Sequence, residues 1–238
     1  MNDVVLLLGG TGRTGTRVME ELLNRGVSVR AIVRSESRVR ADLASHPGLD
    51  LVQADIASLA DDELRRQLAD CTAVVSCLGH TLTLRGIFGP PRDLVADTVA
   101  RVRRAAERVR PEVPIRFVVM TSVSVNRPGR ADVRRGAGER FYLWLVRGLA
   151  PPASDNQRAA DVLAGSEPPA LEWVVVRPDA LVDDDRSDYR LHQEIVDSLF
   201  RPDTSHFADI AHFFADLVTD EEVWRRWRGR MPVISSVR

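Results

Sequence analysis

The sequence predicts an α/β fold in which helices cover both faces of a doubly wound parallel sheet. Strand-like and helix-like segments alternate along the chain. The strand-like segments are short, rich in β-branched residues and almost continuously apolar, as expected for strands buried on both faces. A glycine-rich turn joins the first strand to the first helix. An alternation of this kind places consecutive strands side by side in one parallel sheet.

The elements follow one another at regular intervals. The predicted strands are residues 4–8, 27–33, 49–53, 73–77, 115–120, 171–176, 189–195 and 231–235. The longest predicted helix covers residues 94–110, with apolar side chains on one face and arginines on the other. Pro91 fits the start of this helix, and Pro111 ends it. Later helical patterns cover residues 208–218 and 221–227.

The length and composition predict one globular domain. All 238 residues are assigned to it, and residues 179–238 are predicted to form a small subdomain that covers the substrate side of the ligand crevice. A net charge of −1 argues against nucleic acid as a partner. No apolar run approaches the roughly 20 residues that a membrane-spanning helix needs, so no membrane partner is expected.

The start of the chain and its cysteines predict a cytoplasmic protein. The N-terminus leads directly into a strand, without the pattern of a signal peptide. Cys71 and Cys77 are six residues apart in an extended run, too far for a disulfide. All 33 Lys and Arg positions are arginine, so no mechanism that needs a lysine amine is available. No pattern of metal ligands is present.

The glycine-rich turn predicts a site for a pyrophosphate. It follows the first strand and opens the first helix, so backbone N–H groups and the positive end of the helix dipole would face the anion. In the alternative interpretation the glycines only permit a tight turn. The predicted contact residues are Gly9, Thr11, Gly12, Arg13, Thr14 and Gly15.

The end of the second strand predicts NADP(H) rather than NAD(H). An enzyme specific for NAD usually carries an acidic residue there, which binds the ribose hydroxyls. This chain has Arg34 and Arg38 instead, with Ser35 and Ser37 between them. A guanidinium group binds a phosphate through a planar fork of donors. The alternative is that these are solvated surface arginines.

The third and fourth strands end in further candidate contacts. Asp55, followed by Ile56, either accepts a hydrogen bond from the adenine amino group or caps a local turn. Cys77, Leu78 and Gly79 follow the fourth strand, where small residues would let the backbone lie against the cofactor. Cys77 is interpreted as a small packed residue rather than a reactive thiol.

These motifs resemble those of the atypical short-chain dehydrogenase/reductases. More narrowly, they are similar to the NmrA-like, NAD(P)H-binding group, which includes flavin/biliverdin-type reductases. The matching segments are residues 9–15, 29–35, 54–56, 120–122 and 175–179. The resemblance implies a Rossmann-type sheet of seven strands in the order 3-2-1-4-5-6-7. It also implies NADP as the cofactor, with Thr11, Arg13 and Thr14 at the diphosphate and Pro178 near the nicotinamide.

The chain departs from the standard members of that superfamily at the catalytic residues. Ser122, beside Thr121 in the predicted cofactor site, matches their serine, but the Tyr-x3-Lys pair is absent. Arg158 takes the position of the lysine, where it would hold the ribose without trading protons. His80 is either a proton donor or an ordinary loop histidine. The aromatic run at residues 141–145 predicts a helix that packs in the core or lines the substrate pocket.

Two functions follow from the resemblance and the departure. The first is an NADP(H)-dependent oxidoreductase that transfers hydride to a small carbonyl, quinone or flavin-like substrate. The second is an NADP(H)-sensing regulatory protein without turnover, with a protein partner or a homodimer as its assembly. An epimerase-like activity is a weaker third interpretation, because it usually needs the missing acid–base pair.

Overall fold

A computed structural model gives the fold. It describes residues 3–79, 89, 91–109, 111–128, 135–149, 151–165, 170–196 and 198–237. The strands are β1 (Val4–Leu8), β2 (Ser28–Val33), β3 (Leu49–Gln53), β4 (Ala73–Ser76), β5 (Ile115–Met120), β6 (Leu171–Pro178), β7 (Ala180–Val182), β8 (Tyr189–His192), β9 (Thr204–His206) and β10 (Val233–Ser236). The helices are α1 (Arg13–Asn24), α2 (Ala41–Ala44), α3 (Asp61–Leu68), α4 (Leu94–Val109), α5 (Ala137–Leu149), α6 (Pro151–Ala164), α7 (Phe207–Thr219) and α8 (Glu221–Trp227).

The α/β class and the order of the central strands are confirmed. The main sheet has the order β3-β2-β1-β4-β5-β6-β10-β8, and every neighbouring pair is parallel except β10 and β8. The predicted last strand, β10, takes the seventh place beside β6. The count of seven strands is wrong, because β8 adds an antiparallel eighth strand at the edge. A separate two-stranded sheet pairs β7 with β9.

Two hydrophobic layers explain why the central strands are apolar throughout. Alternate side chains of a strand point to opposite faces of the sheet. In β1, Val5 and Leu7 pack on the layer that contains residues of α1, α7 and α8. Leu6 and Leu8 pack on the layer that contains residues of α3, α4 and α6. Both faces of this strand are therefore closed to water, and no polar position is left on it.

The C-terminal segment is joined to the main fold at several points. Its strands β8 and β10 extend the main sheet. Arg25, directly after α1, donates hydrogen bonds to Asp216 (2.8 Å) and Thr219 (3.1 Å) of α7. Residues 179–238 are predicted to form a subdomain that covers the substrate side. Because β8 and β10 belong to the main sheet, such a subdomain would consist of the other parts of this segment.

The aromatic run on α5 does not pack in the core. Phe141 and Trp144 are 63% and 69% exposed, and their rings stack 5.8 Å apart. Tyr142 is 45% exposed and contacts the exposed ring of Phe200. The core interpretation of this run is wrong, because Leu143 is the one buried residue among residues 141–145.

None of the helices in the described parts of the chain is both long and apolar enough to cross a membrane. Both cysteines are free and buried.

Candidate functional site

A crevice opens at the carboxyl ends of β1 to β4. In a doubly wound sheet this is the edge at which ligands bind. The start of α4 closes one side of the crevice through Pro91 and Leu94. The predicted residues that line the crevice are Gly9, Thr11, Gly12, Arg34, Arg38, Asp55, Ile56, Cys77, Leu78 and Gly79. The structure thus brings together residues from four separate strand ends.

The glycine turn is a close-packed junction between β1, β4 and α1. Gly9 has φ +79°, and a Cβ there would lie 2.7 Å from the carbonyl oxygen of Cys77. A Cβ on Gly15 would overlap the carbonyl of Gly9. The amide of Gly12 donates to that same carbonyl at 3.0 Å. Side chains at residues 9 and 15 would therefore clash with this backbone and force the junction to shift.

The amino end of α1 suits an anion. Its N-cap is Gly12, which supplies no side-chain hydrogen bond, and its first turn contains no acidic residue. Thr14 in that turn is buried. The first amide groups of a helix lack partners within the helix, and the helix dipole places positive charge at this end. A bound phosphate group would accept hydrogen bonds from these amides and would be attracted by the positive charge.

Two arginines follow the second strand and have no acidic partner within the described ranges. Arg34 follows β2, and Arg38 ends a 3₁₀ turn, Glu36–Arg38. Among the residues that the structure describes, neither guanidinium has a carboxylate within ion-pair distance. Arg40, close by, pairs with Glu20 and Asp42 instead. The hydroxyl oxygens of Ser35 and Ser37 are 2.8 Å apart. This end of the crevice therefore carries positive charge that the described part of the chain does not pair with a carboxylate.

Asp55 combines the two interpretations that the sequence leaves open. Its carboxylate accepts a hydrogen bond from the amide of Ala57 at 3.1 Å, which closes a local turn. The residue also lines the crevice. One carboxylate oxygen can hold the turn while the other faces a ligand, so the adenine contact stays a prediction.

Cys77 belongs to the packing of the crevice wall. It is 8% exposed, and burial raises the pKa of its thiol to about 12. Burial thus disfavours the thiolate form, which agrees with a small packed residue rather than a reactive thiol. No group of three or more His, Cys, Asp or Glu side chains that could hold a metal ion occurs within the described ranges.

The segment after β5 lies alongside the end of β6. Thr121 donates through its hydroxyl to the carbonyl of Val176 at 3.2 Å, and the amide of Val123 donates to the carbonyl of Pro178 at 3.0 Å. The hydroxyl oxygens of Ser122 and Ser124 are 2.6 Å apart. The structure thus places the segment that contains Ser122 beside Pro178, and their place at the nicotinamide stays a prediction. His80 lies outside the described residues.

Residues 154–158, where the resemblance would place the Tyr-x3-Lys pair, make contacts that hold the fold together. Asp155 is 0% exposed and accepts hydrogen bonds from the amides of Val95 and Ala96, both at 2.9 Å. It caps the start of α4 from a helix 60 residues away. Arg158 forms an ion pair with Asp93 and is not among the residues that line the crevice. Its contact with the ribose stays a prediction that would require this pair to open.

Arg13 contacts a residue that the sequence analysis did not single out. Its guanidinium carbon lies 4.7 Å from the ring centroid of Phe207, the first residue of α7. No local pattern predicts this contact, because 193 residues separate the two side chains along the chain.

Comparison with known proteins agrees with this geometry. A family of NAD(P)H-binding domains matches residues 9–221, so the chain belongs to the NAD(P)H-binding family. An uncharacterised chloroplastic protein of Arabidopsis thaliana is 28% identical over 181 residues, which are 76% of this chain and 60% of that protein. Protein TIC 62, chloroplastic, of Oryza sativa subsp. japonica is 27% identical over 192 residues, which are 74% of this chain and 35% of that protein. The chain therefore spans less than two thirds of the length of either relative.

Solved structures confirm the fold. The oxidoreductase ylbE from Lactococcus lactis superposes with a TM-score of 0.71 at 17% identity, over 99% of this chain and 91% of that chain. A short-chain dehydrogenase/reductase from Veillonella parvula, in complex with NADP, superposes with a TM-score of 0.71 at 15% identity. That match covers 99% of this chain and 95% of the other. The fold is thus a Rossmann-type fold.

Proposed function

We propose that the protein binds NADP(H) in this crevice, in preference to NAD(H). The observation that carries the proposal is the pair of arginines, Arg34 and Arg38, which line the crevice without an acidic partner in the described structure. The 2′-phosphate is the group by which NADP(H) differs from NAD(H). An acidic residue at the end of β2 would repel that phosphate, whereas two guanidinium groups bind it.

In this proposal, the remaining residues of the site each contact a different part of the cofactor. The amides at the start of α1 and the side chains of Thr11, Arg13 and Thr14 hold the diphosphate. Asp55 and Ile56 contact the adenine, and the backbone at residues 77–79 lies against the cofactor. Ser122 and Pro178 face the nicotinamide. Bound NADPH supplies a hydride, and the protein orients it toward a small carbonyl, quinone or flavin-like substrate.

A comparison of the two cofactors tests the binding proposal. Fluorescence titration is expected to give a lower Kd for NADPH than for NADH. Arg34→Gln should weaken NADPH binding at least about tenfold and leave NADH binding unchanged, because it removes a charged hydrogen bond to the 2′-phosphate. Arg40→Gln is the matched control, since that arginine is already paired with Glu20 and Asp42. Equal Kd values of the wild-type protein for NADPH and NADH would contradict the assignment of Arg34.

Turnover is tested separately. NADPH oxidation is followed by the loss of nicotinamide absorbance with a panel of flavins, quinones and carbonyl compounds. We expect hydride transfer to at least one class, with water or His80 as the proton source. The absence of oxidation across the whole panel, with tight NADPH binding intact, would contradict the oxidoreductase proposal and favour the second candidate.

The second candidate is a sensor of NADP(H) without turnover, as in the NmrA-like type. The use of Asp155 and Arg158 as structural residues favours it, because no proton donor of the usual kind is left at that position. This candidate predicts a difference between the Kd values for NADP⁺ and NADPH, no turnover, and retention of a protein partner or of a second copy. A cytoplasmic location stays a prediction for either candidate.

A further inference from the structure

The ring of Phe207 lies beside two guanidinium groups of α1. The ring centroid is 4.7 Å from the guanidinium carbon of Arg13 and 5.5 Å from that of Arg17. Both distances fall within the range of a cation–π interaction. Phe207 is 1% exposed and begins α7, whereas Arg13 is an exposed residue that begins α1. A fixed aromatic side chain of the C-terminal segment therefore supports a cation beside the glycine turn.

The two arginines differ in what else they contact. Arg17 forms an ion pair with Asp183 and also donates to the carbonyl of Arg13 at 3.4 Å. Arg13 has no carboxylate within ion-pair distance in the described parts of the chain, and its charge is contacted by the ring of Phe207. An aromatic ring directs a guanidinium without neutralising it. The charge of Arg13 thus stays available to an anionic ligand.

The position of Arg13 on its helix is unfavourable without such support. A cation at the first residue of a helix is repelled by the positive end of the helix dipole. No acidic residue in the first turn of α1 offsets this repulsion. The aromatic contact offsets part of it, and an anion bound at the same helix end would offset the rest. Arg13 and the first amides of α1 would then face the same phosphate oxygens.

We infer that Phe207 is a positioning residue for the cofactor diphosphate, and that it acts by holding the guanidinium of Arg13 at the amino end of α1. This inference rests on the proposed function, since it requires NADP(H) in the crevice. The inference gives the start of α7 a role in cofactor affinity, although Phe207 itself is buried and is not among the residues that line the crevice.

A double-mutant cycle tests the inference. The Kd of NADP⁺ is measured by calorimetry for the wild-type protein, Phe207→Leu, Arg13→Gln and the double variant. We expect Phe207→Leu to weaken binding about three- to tenfold in the wild-type background, the size of a cation–π contribution with its loss of orientation. The same substitution should have no further effect when Arg13 is already Gln, because its partner is absent.

Matched variants separate positioning from general damage. Phe213→Leu removes an equally buried ring from the same helix, one that packs on Tyr189 and Trp227, and should leave the Kd unchanged. Phe207→Tyr keeps a ring beneath Arg13 and should retain most of the affinity. Phe207→Met fills the space flexibly and serves if Phe207→Leu fails to fold.

A second ligand tests whether Phe207 acts at the diphosphate or elsewhere on the cofactor. Adenosine 2′-monophosphate carries the 2′-phosphate but no diphosphate, so Phe207→Leu should leave its Kd unchanged. Equal losses for both ligands, or the same loss from Phe207→Leu in both arginine backgrounds, would overturn the inference while leaving the proposed function intact. A wild-type protein that does not bind NADP⁺ would overturn both.

Discussion

At the scale of single residues, Asp155 shows how the fold uses a buried carboxylate. It accepts two amide hydrogen bonds at the start of α4, so its negative charge meets the positive end of a helix dipole. From the sequence, Asp155 and Asn156 are interpreted as helix caps at a place where substrate would also be expected. The partner of Asp155 is the start of another helix, which the composition does not reveal.

Asp155→Ala should lower the free energy of unfolding by about 1–3 kcal/mol, because it removes a cap and leaves two buried amides without an acceptor. Urea denaturation monitored by circular dichroism measures the loss. Asp161→Ala, on an exposed residue of the same helix, is the control and should change the value by less than about 0.5 kcal/mol. Equal losses in the two variants would contradict the capping role.

At the scale of elements, Arg177 joins the end of β6 to three other segments by hydrogen bonds. It is 0% exposed and donates to the carbonyls of Met231 (2.9 Å), Val125 (3.2 Å) and Gln193 (3.3 Å). Met231 precedes β10, so this side chain helps to hold the seventh strand against the sixth. The resemblance marks residues 175–179 as part of a family motif, but it does not reveal this use of the guanidinium.

Arg177→Leu should lower the free energy of unfolding by about 2–5 kcal/mol, because buried carbonyls lose charged donors that an alkyl group cannot replace. Arg190→Leu, the same change on an exposed position of β8, should be within about 0.5 kcal/mol of the wild-type value. Chemical denaturation of the two variants decides the matter. A small loss for Arg177→Leu would mean that the apolar side chain compensates by better packing.

At the scale of the whole molecule, α1 and α7 meet across a charged cluster that makes stability depend on pH. Burial by itself would raise the pKa of Glu21, but hydrogen bonds from His212 and Arg25 lower it below its ordinary value of 4.5. Outside this cluster, the hydrogen bond that Arg30 of β2 donates to Asp70 likewise lowers the pKa of that carboxyl group. Each carboxylate therefore holds its proton less tightly in the folded protein than in the unfolded chain.

The sign of the pH dependence follows from these lowered pKa values. The stabilising contribution is complete above the unfolded pKa and is lost as pH falls through the folded pKa. We expect the urea midpoint to fall between about pH 5 and pH 3, and to fall less steeply in Glu21→Gln. Glu36→Gln removes an exposed carboxylate and should keep the wild-type slope. An unchanged slope in Glu21→Gln would contradict the role of the cluster.

The sequence by itself determined the α/β class and the candidate crevice, whereas the order of the central strands was implied by the resemblance to a known family. Periodicity reports burial on one or two faces, and the glycine turn needs only neighbouring residues for its geometry. These features are local, so they can be predicted from a single chain. The eighth strand, β8, was foreseen as a short strand, but its antiparallel place at the edge depends on β10, which lies about 40 residues later.

Only the tertiary structure decided which polar side chains are used to hold the fold and which remain available to a ligand. Arg13, Arg34 and Arg158 all fit a cofactor site in the sequence. In the fold, Arg158 pairs with Asp93, Arg34 lines the crevice, and Arg13 lies against Phe207. The aromatic side chains of α5 were expected in the core or in the wall of the substrate pocket, and they are largely exposed. The physical reason is the same in each case: the partner of a side chain is set by packing between segments far apart in the chain, and local patterns do not encode those distances.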